Sequence, residues 1–122
     1  MTGAALTIVK DGMESLGLNY AFMRWQDDPE DPYFTGEYQE FESMTEDGMQ
    51  ECDFILSGFT RGSWADMETA KAKIERYFNR TVIADNGSAV AIFYGNSLIV
   101  PTGDAELKSI TINLKIKEWK VK

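Results

Sequence analysis

One stretch near the end of the chain allows little choice of fold. From Ser109 to Lys117 the sequence alternates without a break: Ile110, Ile112, Leu114 and Ile116 are apolar, and Ser109, Thr111, Asn113, Lys115 and Lys117 are polar. Side chains of an extended chain point alternately to its two faces. This segment is therefore a strand with one face in a core and the other turned to solvent or a partner. Wound at 3.6 residues per turn, the same isoleucines would scatter around a helix. Such a strand needs neighbours and an apolar layer to lie on, and the rest of the chain must supply both.

Two segments carry helical spacing. Over Thr2 to Leu16, Ala5, Val9, Met13 and Leu16 share one face; Gly12 weakens the helix, and Gly17 suits a left-handed end. The second helix begins at Ser63, placed to cap the amide of Asp66, and carries the stripe Trp64, Met67, Ala70, Ile74, Tyr77 and Phe78. The other segments read as strands. Leu18 to Trp25 alternates, and Gln26 to Pro32 is a proline-containing loop. Tyr33 to Ser43 and Gln50 to Thr60 are the arms of a hairpin turning at Thr45–Gly48. Arms of about eleven residues reach about 35 Å, more than the domain's own core requires, so the hairpin is expected to protrude. Thr81–Ala84 and Ala89–Tyr94 flank an Asn86-Gly87 turn, after which Gly95-Asn96 turns into a short run, Leu98–Val100, stopped by Pro101. The expected architecture is a single α+β domain over residues 1–122: a mainly antiparallel sheet, two helices packed on it and a long protruding β-hairpin.

The chain's chemistry is sparse. It has no histidine and one cysteine, Cys52, which excludes His-dependent triads, His-ligated metals and an intrachain disulfide. Cys52 falls on the apolar side of its strand and reads as a packing residue. Gly58 to Ser63 has part of the outline of a phosphate loop, with Arg61 near the helix start. It lacks the Gly-Lys-Ser/Thr ending, and it reads as a strand-to-helix turn. Asp27, Asp28, Glu30 and Asp31 lack the spacing of a calcium loop. No catalytic residue, metal ligand or cofactor is expected. The N-terminus lacks the basic and apolar regions of a signal peptide, and no apolar run has the length of a membrane helix.

Charge and aromatic rings are more informative. The net charge is −8, and the stretch Asp27 to Glu51 holds ten acids and no base. Binding to nucleic-acid backbones is not expected of such a chain. Trp25, Tyr33, Phe34, Tyr38 and Phe41 lie in or beside that stretch, and large rings dominate contact surfaces. The candidate subunit-interface or lumen residues are accordingly Trp25, Tyr38, Glu37, Glu40, Glu42, Glu51, Lys115 and Lys117. The acids could line a negative lumen or pair with the lysines of a neighbouring copy. The lumen is the expectation for Glu37, Glu40, Glu42 and Glu51, because the hairpin has no Lys or Arg to compensate them locally.

The segments Leu18–Met23, Pro32–Tyr38, Gln50–Glu51 and Phe54–Gly62, with the second helix and the Lys-rich closing strand, resemble the tail-completion or tail-terminator-like minor structural proteins of tailed phages and prophages of Gram-positive bacteria. The resemblance spans nearly the whole chain, and its motifs are structural rather than catalytic. It implies a protomer that forms a ring, commonly a hexamer, at the head-proximal end of the tail. The implied partners are further copies of itself, the major tail tube protein and head-tail connector proteins, with no specific nucleic acid and no membrane. The implied location is the bacterial host cytoplasm during assembly and then the virion tail. Tail-tube and connector proteins share the fold, so those roles stay open. The alternative from another class is a monomeric acidic binding or inhibitor module using the 33–60 hairpin as a nucleic-acid mimic.

Overall fold

The alternating segment becomes β6 (Lys108–Trp119), an inner strand of the sheet. The computed structural model describes residues 3–25, 30–41, 49–83 and 89–119. In chain order they form α1 (Gly3–Ser15), β1 (Asn19–Phe22), β2 (Tyr33–Phe41), β3 (Met49–Thr60), α2 (Trp64–Tyr77), β4 (Asn79–Ile83), β5 (Ala89–Val100) and β6. The six strands lie in the order β1-β2-β3-β6-β5-β4. Every pairing is antiparallel except the parallel contact of β1 with β2.

The alternation sets the faces as expected. Ile110, Ile112, Leu114 and Ile116 are buried. Register pairs them with Gly58, Leu56, Phe54 and Cys52 of β3, which point the same way. Both helices close this side: Ala5, Val9 and Met13 of α1, and Met67, Ala70 and Ile74 of α2, join the same cluster. α2 rests on β3, β4, β5 and β6, and α1 rests on β1. At the start of α2 the Asp66 amide donates to Ser63 Oγ at 3.2 Å, the cap read from the sequence. Close approach explains one glycine: a Cβ on Gly58 would lie 2.5 Å from Cε1 of Phe34, its cross-strand partner. The ring occupies the space that a side chain would need.

Several expectations change. The two long arms do pair, Tyr33 with Phe59 through Phe41 with Glu51. A hairpin standing clear of the body is not confirmed, because β6 accompanies β3 from Thr60 to Met49. Its inner arm, β3, leans on the chain's own last strand. The turn at Thr45–Gly48 and the Asn86-Gly87 turn lie outside the described residues, as does most of the 26–32 loop. β1 is shorter than expected and ends where Met23 takes φ 69 and donates its amide to the Gly36 carbonyl at 2.8 Å. Gly95-Asn96 is not a turn. β5 runs on through it to Val100, with a register shift between Tyr94 and Asn96, the bulge that a glycine inside a strand permits. Trp64 sits on the first turn of α2 and is 39% exposed rather than core.

Candidate functional site

The helices cover one face of the sheet, and among the described residues no helix covers the other. On this open face β3 and β6 present their odd-numbered residues to each other. Lys115 Nζ lies 2.6 Å from Asp53 Oδ1, and Lys117 Nζ lies 3.8 Å from Glu51 Oε1. Both are directly opposed cross-strand pairs. Partly exposed pairs of this kind contribute about 0–1 kcal/mol each. Their consequence for function is larger than their energy: two of the hairpin's acids are neutralised within the chain. The expectation that these acids have no local compensation is corrected for Glu51. The compensating lysine comes from a strand more than sixty residues later, which no local pattern reveals.

The remaining candidates divide between the faces. Glu37 shares the open face with Glu51, Lys115 and Lys117, whereas Tyr38 and Glu40 point to the helix side. Glu42 lies outside the described residues. Tyr38 stacks on Phe22 with ring centroids 6.0 Å apart, and Phe22 lies 6.4 Å from Phe54. Trp25 is half-buried; its Nε1–H donates to the Phe34 carbonyl at 3.2 Å and its ring meets Tyr33 edge-on at 6.3 Å. Tyr33 in turn stacks on Phe59 at 5.4 Å. The open face thus carries an aromatic row at one end and cross-strand ion pairs at the other.

Arg61 is engaged and does not wait for an anion. Its guanidinium lies 3.2 Å from Asp104 Oδ2, and its amide donates to Asp31 Oδ2 at 2.9 Å. Asp104 also accepts the Glu106 amide at 2.9 Å. That amide and the Arg61 guanidinium hold its carboxyl below the usual carboxylate range. Burial pushes the Cys52 thiol up to about 11 and the Tyr20 hydroxyl up to about 12. Both groups therefore stay neutral near pH 7. Tyr20 lines a groove of about 270 Å³ with Leu6, Thr7, Lys10, Ala21 and Phe22.

Two features went unnoticed in the sequence. Glu118 continues the inward phase of β6 and is buried; the expected alternation stopped at Lys117. A groove of about 280 Å³ lies between α2 and the far half of β5, lined by Glu68, Lys71, Ser97, Leu98, Ile99 and Ile110. The exposed apolar pair Leu98-Ile99 was its available signal. Among the described residues, no three His, Cys, Asp or Glu side chains gather as a metal site. No helix there is long and apolar enough to cross a membrane. The sequence matches no family profile, and no curated protein matches it.

Proposed function

We propose that this chain is a non-enzymatic structural protein of a phage or prophage tail. It assembles with copies of itself into a ring at the head-proximal end, where it terminates the tube and meets the head-tail connector. The observation that supports this reading best is the uneven covering of the sheet. Both helices lie on one face, and the other is left with rings and charges suited to a contact surface. Burying such a face is what assembly accomplishes, and head-to-tail contacts that close on themselves give rings. The ion pairs weigh against the monomeric inhibitor reading, because a mimic of a polyanion needs its acids uncompensated, and Glu51 and Asp53 are matched by Lys117 and Lys115.

The test is tube growth. Major tail tube protein is polymerised with and without the purified chain, and tube lengths are measured by electron microscopy. The expected result is short tubes with the chain bound at one end. Tubes that grow unchanged and carry no bound chain would refute the assignment.

A further inference from the structure

Among the described residues, β2 and β5 each have a half-edge with no strand beside it, and the two half-edges match. β1 pairs with β2 only over Tyr33–Gly36, so among the described residues no strand lies beside Glu37–Gln39. At the opposite edge β4 pairs with β5 only over Ala89–Phe93, so among the described residues no strand lies beside Ser97–Val100. Open edges offer backbone N–H and C=O groups to another chain, and proteins commonly blunt them with charge, proline or a bulge. Glu37 marks the first edge, and the Gly95 bulge and Pro101 bound the second, yet each exposes large apolar side chains: Tyr38 is 38% exposed, Leu98 53% and Ile99 58%.

We propose that the two half-edges pair with each other between copies of this chain, head to tail. Glu37–Gln39 of one copy then runs antiparallel to Leu98–Val100 of the next, with Glu37 opposite Val100, Tyr38 opposite Ile99 and Gln39 opposite Leu98. The proposal deepens the self-assembly reading above, rests on it, and names the contact.

Three observations carry it. The first is direction. β2, β3, β6 and β5 are successively antiparallel, so β2 and β5 run oppositely, and copies set side by side in one orientation meet in antiparallel register. The second is phase. Ile99 opposes Ile110 and therefore points to the helix side, where Tyr38 also points. The register brings these exposed apolar side chains together there and leaves Gln39 with Leu98 on the open face. A slip of one residue would put every pair on opposite faces. Tyr38 then faces the groove under α2, whose wall carries the Lys71–Glu68 pair at 3.4 Å.

The third is closure. Within one copy the ladder sets Val100 level with Ser109, Phe59 and Tyr33, so pairing it with a neighbour's Glu37 offsets successive copies by four residues. That is about 14 Å along the strand, at about 3.4 Å per residue. Four strands separate successive copies by about 19 Å, at about 4.8 Å each. The offset is absorbed by a strand tilt of about 35°, within the range at which strands run in closed barrels. The repeat can therefore return on itself and make a ring with a continuous sheet.

The test uses the full chain with added cysteines at exposed positions. Tyr38→Cys and Ile99→Cys proteins are oxidised at high concentration, separately and mixed. The expected product is a disulfide-linked dimer in the mixture and in neither protein alone, and a ladder of covalent oligomers from the double variant. Gln39→Cys should link to Leu98→Cys, and Tyr38→Cys should not. A dimer from either single variant alone means two-fold pairing and overturns the proposal, as does a mixture that forms no link. If the links form but the chain leaves tube growth unchanged, the edge contact stands and the tail assignment falls. If tubes are capped and no link forms, the reverse holds.

Discussion

Replacing Gly12 by alanine sets two effects of opposite sign against each other. In an exposed helix interior the change gains about 1 kcal/mol, because glycine loses more backbone freedom on folding. Gly12, however, belongs to the buried stripe of α1 with Ala5, Val9 and Met13. A Cβ there would lie 2.8 Å from Phe78 Cζ and 2.8 Å from Tyr77 Cε1. Non-bonded carbons rest about 3.5–4.0 Å apart, so about 1 Å must be recovered by moving a ring or the helix. Both rings are held in place. Phe78 is fully buried, its ring meets Tyr77 edge-on at 5.0 Å, and the Arg80 guanidinium lies 4.0 Å above the Tyr77 ring. Overpacking of this kind costs about 1–3 kcal/mol, which exceeds the helical gain. Gly12→Ala should therefore destabilise the domain by about 1 kcal/mol, read as a urea midpoint lowered by about 0.5 M for a slope of about 2 kcal/mol/M. Combined with Phe78→Leu, which removes one of the two rings and leaves Tyr77, the same alanine should cost less than it does alone. The double-mutant cycle should give a coupling of about 1–3 kcal/mol. A midpoint raised by Gly12→Ala alone, or additivity in the cycle, would refute the close approach of α1 to the end of α2.

Three further outcomes are expected. Ile112→Ala removes a fully buried side chain from the middle of β6 and should cost about 2–5 kcal/mol; an unchanged denaturation midpoint would mean that the buried face is misassigned. Tyr20 and Cys52 ionise at higher pH in the folded chain than in the unfolded one, at about 12 and about 11. Their contribution to stability is complete below about pH 9, and is lost as pH rises from there through about 12. Tyr20→Phe should flatten the decline above about pH 10 in urea titrations, and an identical slope in the variant would contradict burial of the hydroxyl. Cys52 is 3% exposed, so an aromatic disulfide reagent at pH 8 should label it only as fast as the domain opens; immediate labelling of the folded protein would overturn that placement.

Much of the architecture is legible in local pattern. The period of two from Ser109 to Lys117 announces both the strand and its buried side, and Ser63 announces the start of α2. Period and capping are properties of neighbours along the chain, and the hydrophobic effect converts them into faces whatever the strand order. Pairing partners are of another kind. Nothing near Glu51 or Asp53 indicates that Lys117 and Lys115 stand opposite them, because register between distant strands depends on how the whole sheet packs. The same holds for Gly95. A glycine-asparagine pair suits a turn equally well, and it becomes a bulge only because β6 offers a ladder on which β5 can continue. The two open half-edges are likewise a tertiary result. They exist because β1 and β4 are shorter than the strands they flank and cover opposite ends of opposite edges. By itself the sequence determined which side of each strand is apolar and where the second helix begins, since both follow from spacing along the chain. The tertiary structure alone decided which charges meet and, among the described residues, which backbone edges stay open, since those depend on residues that come together only when the sheet is complete.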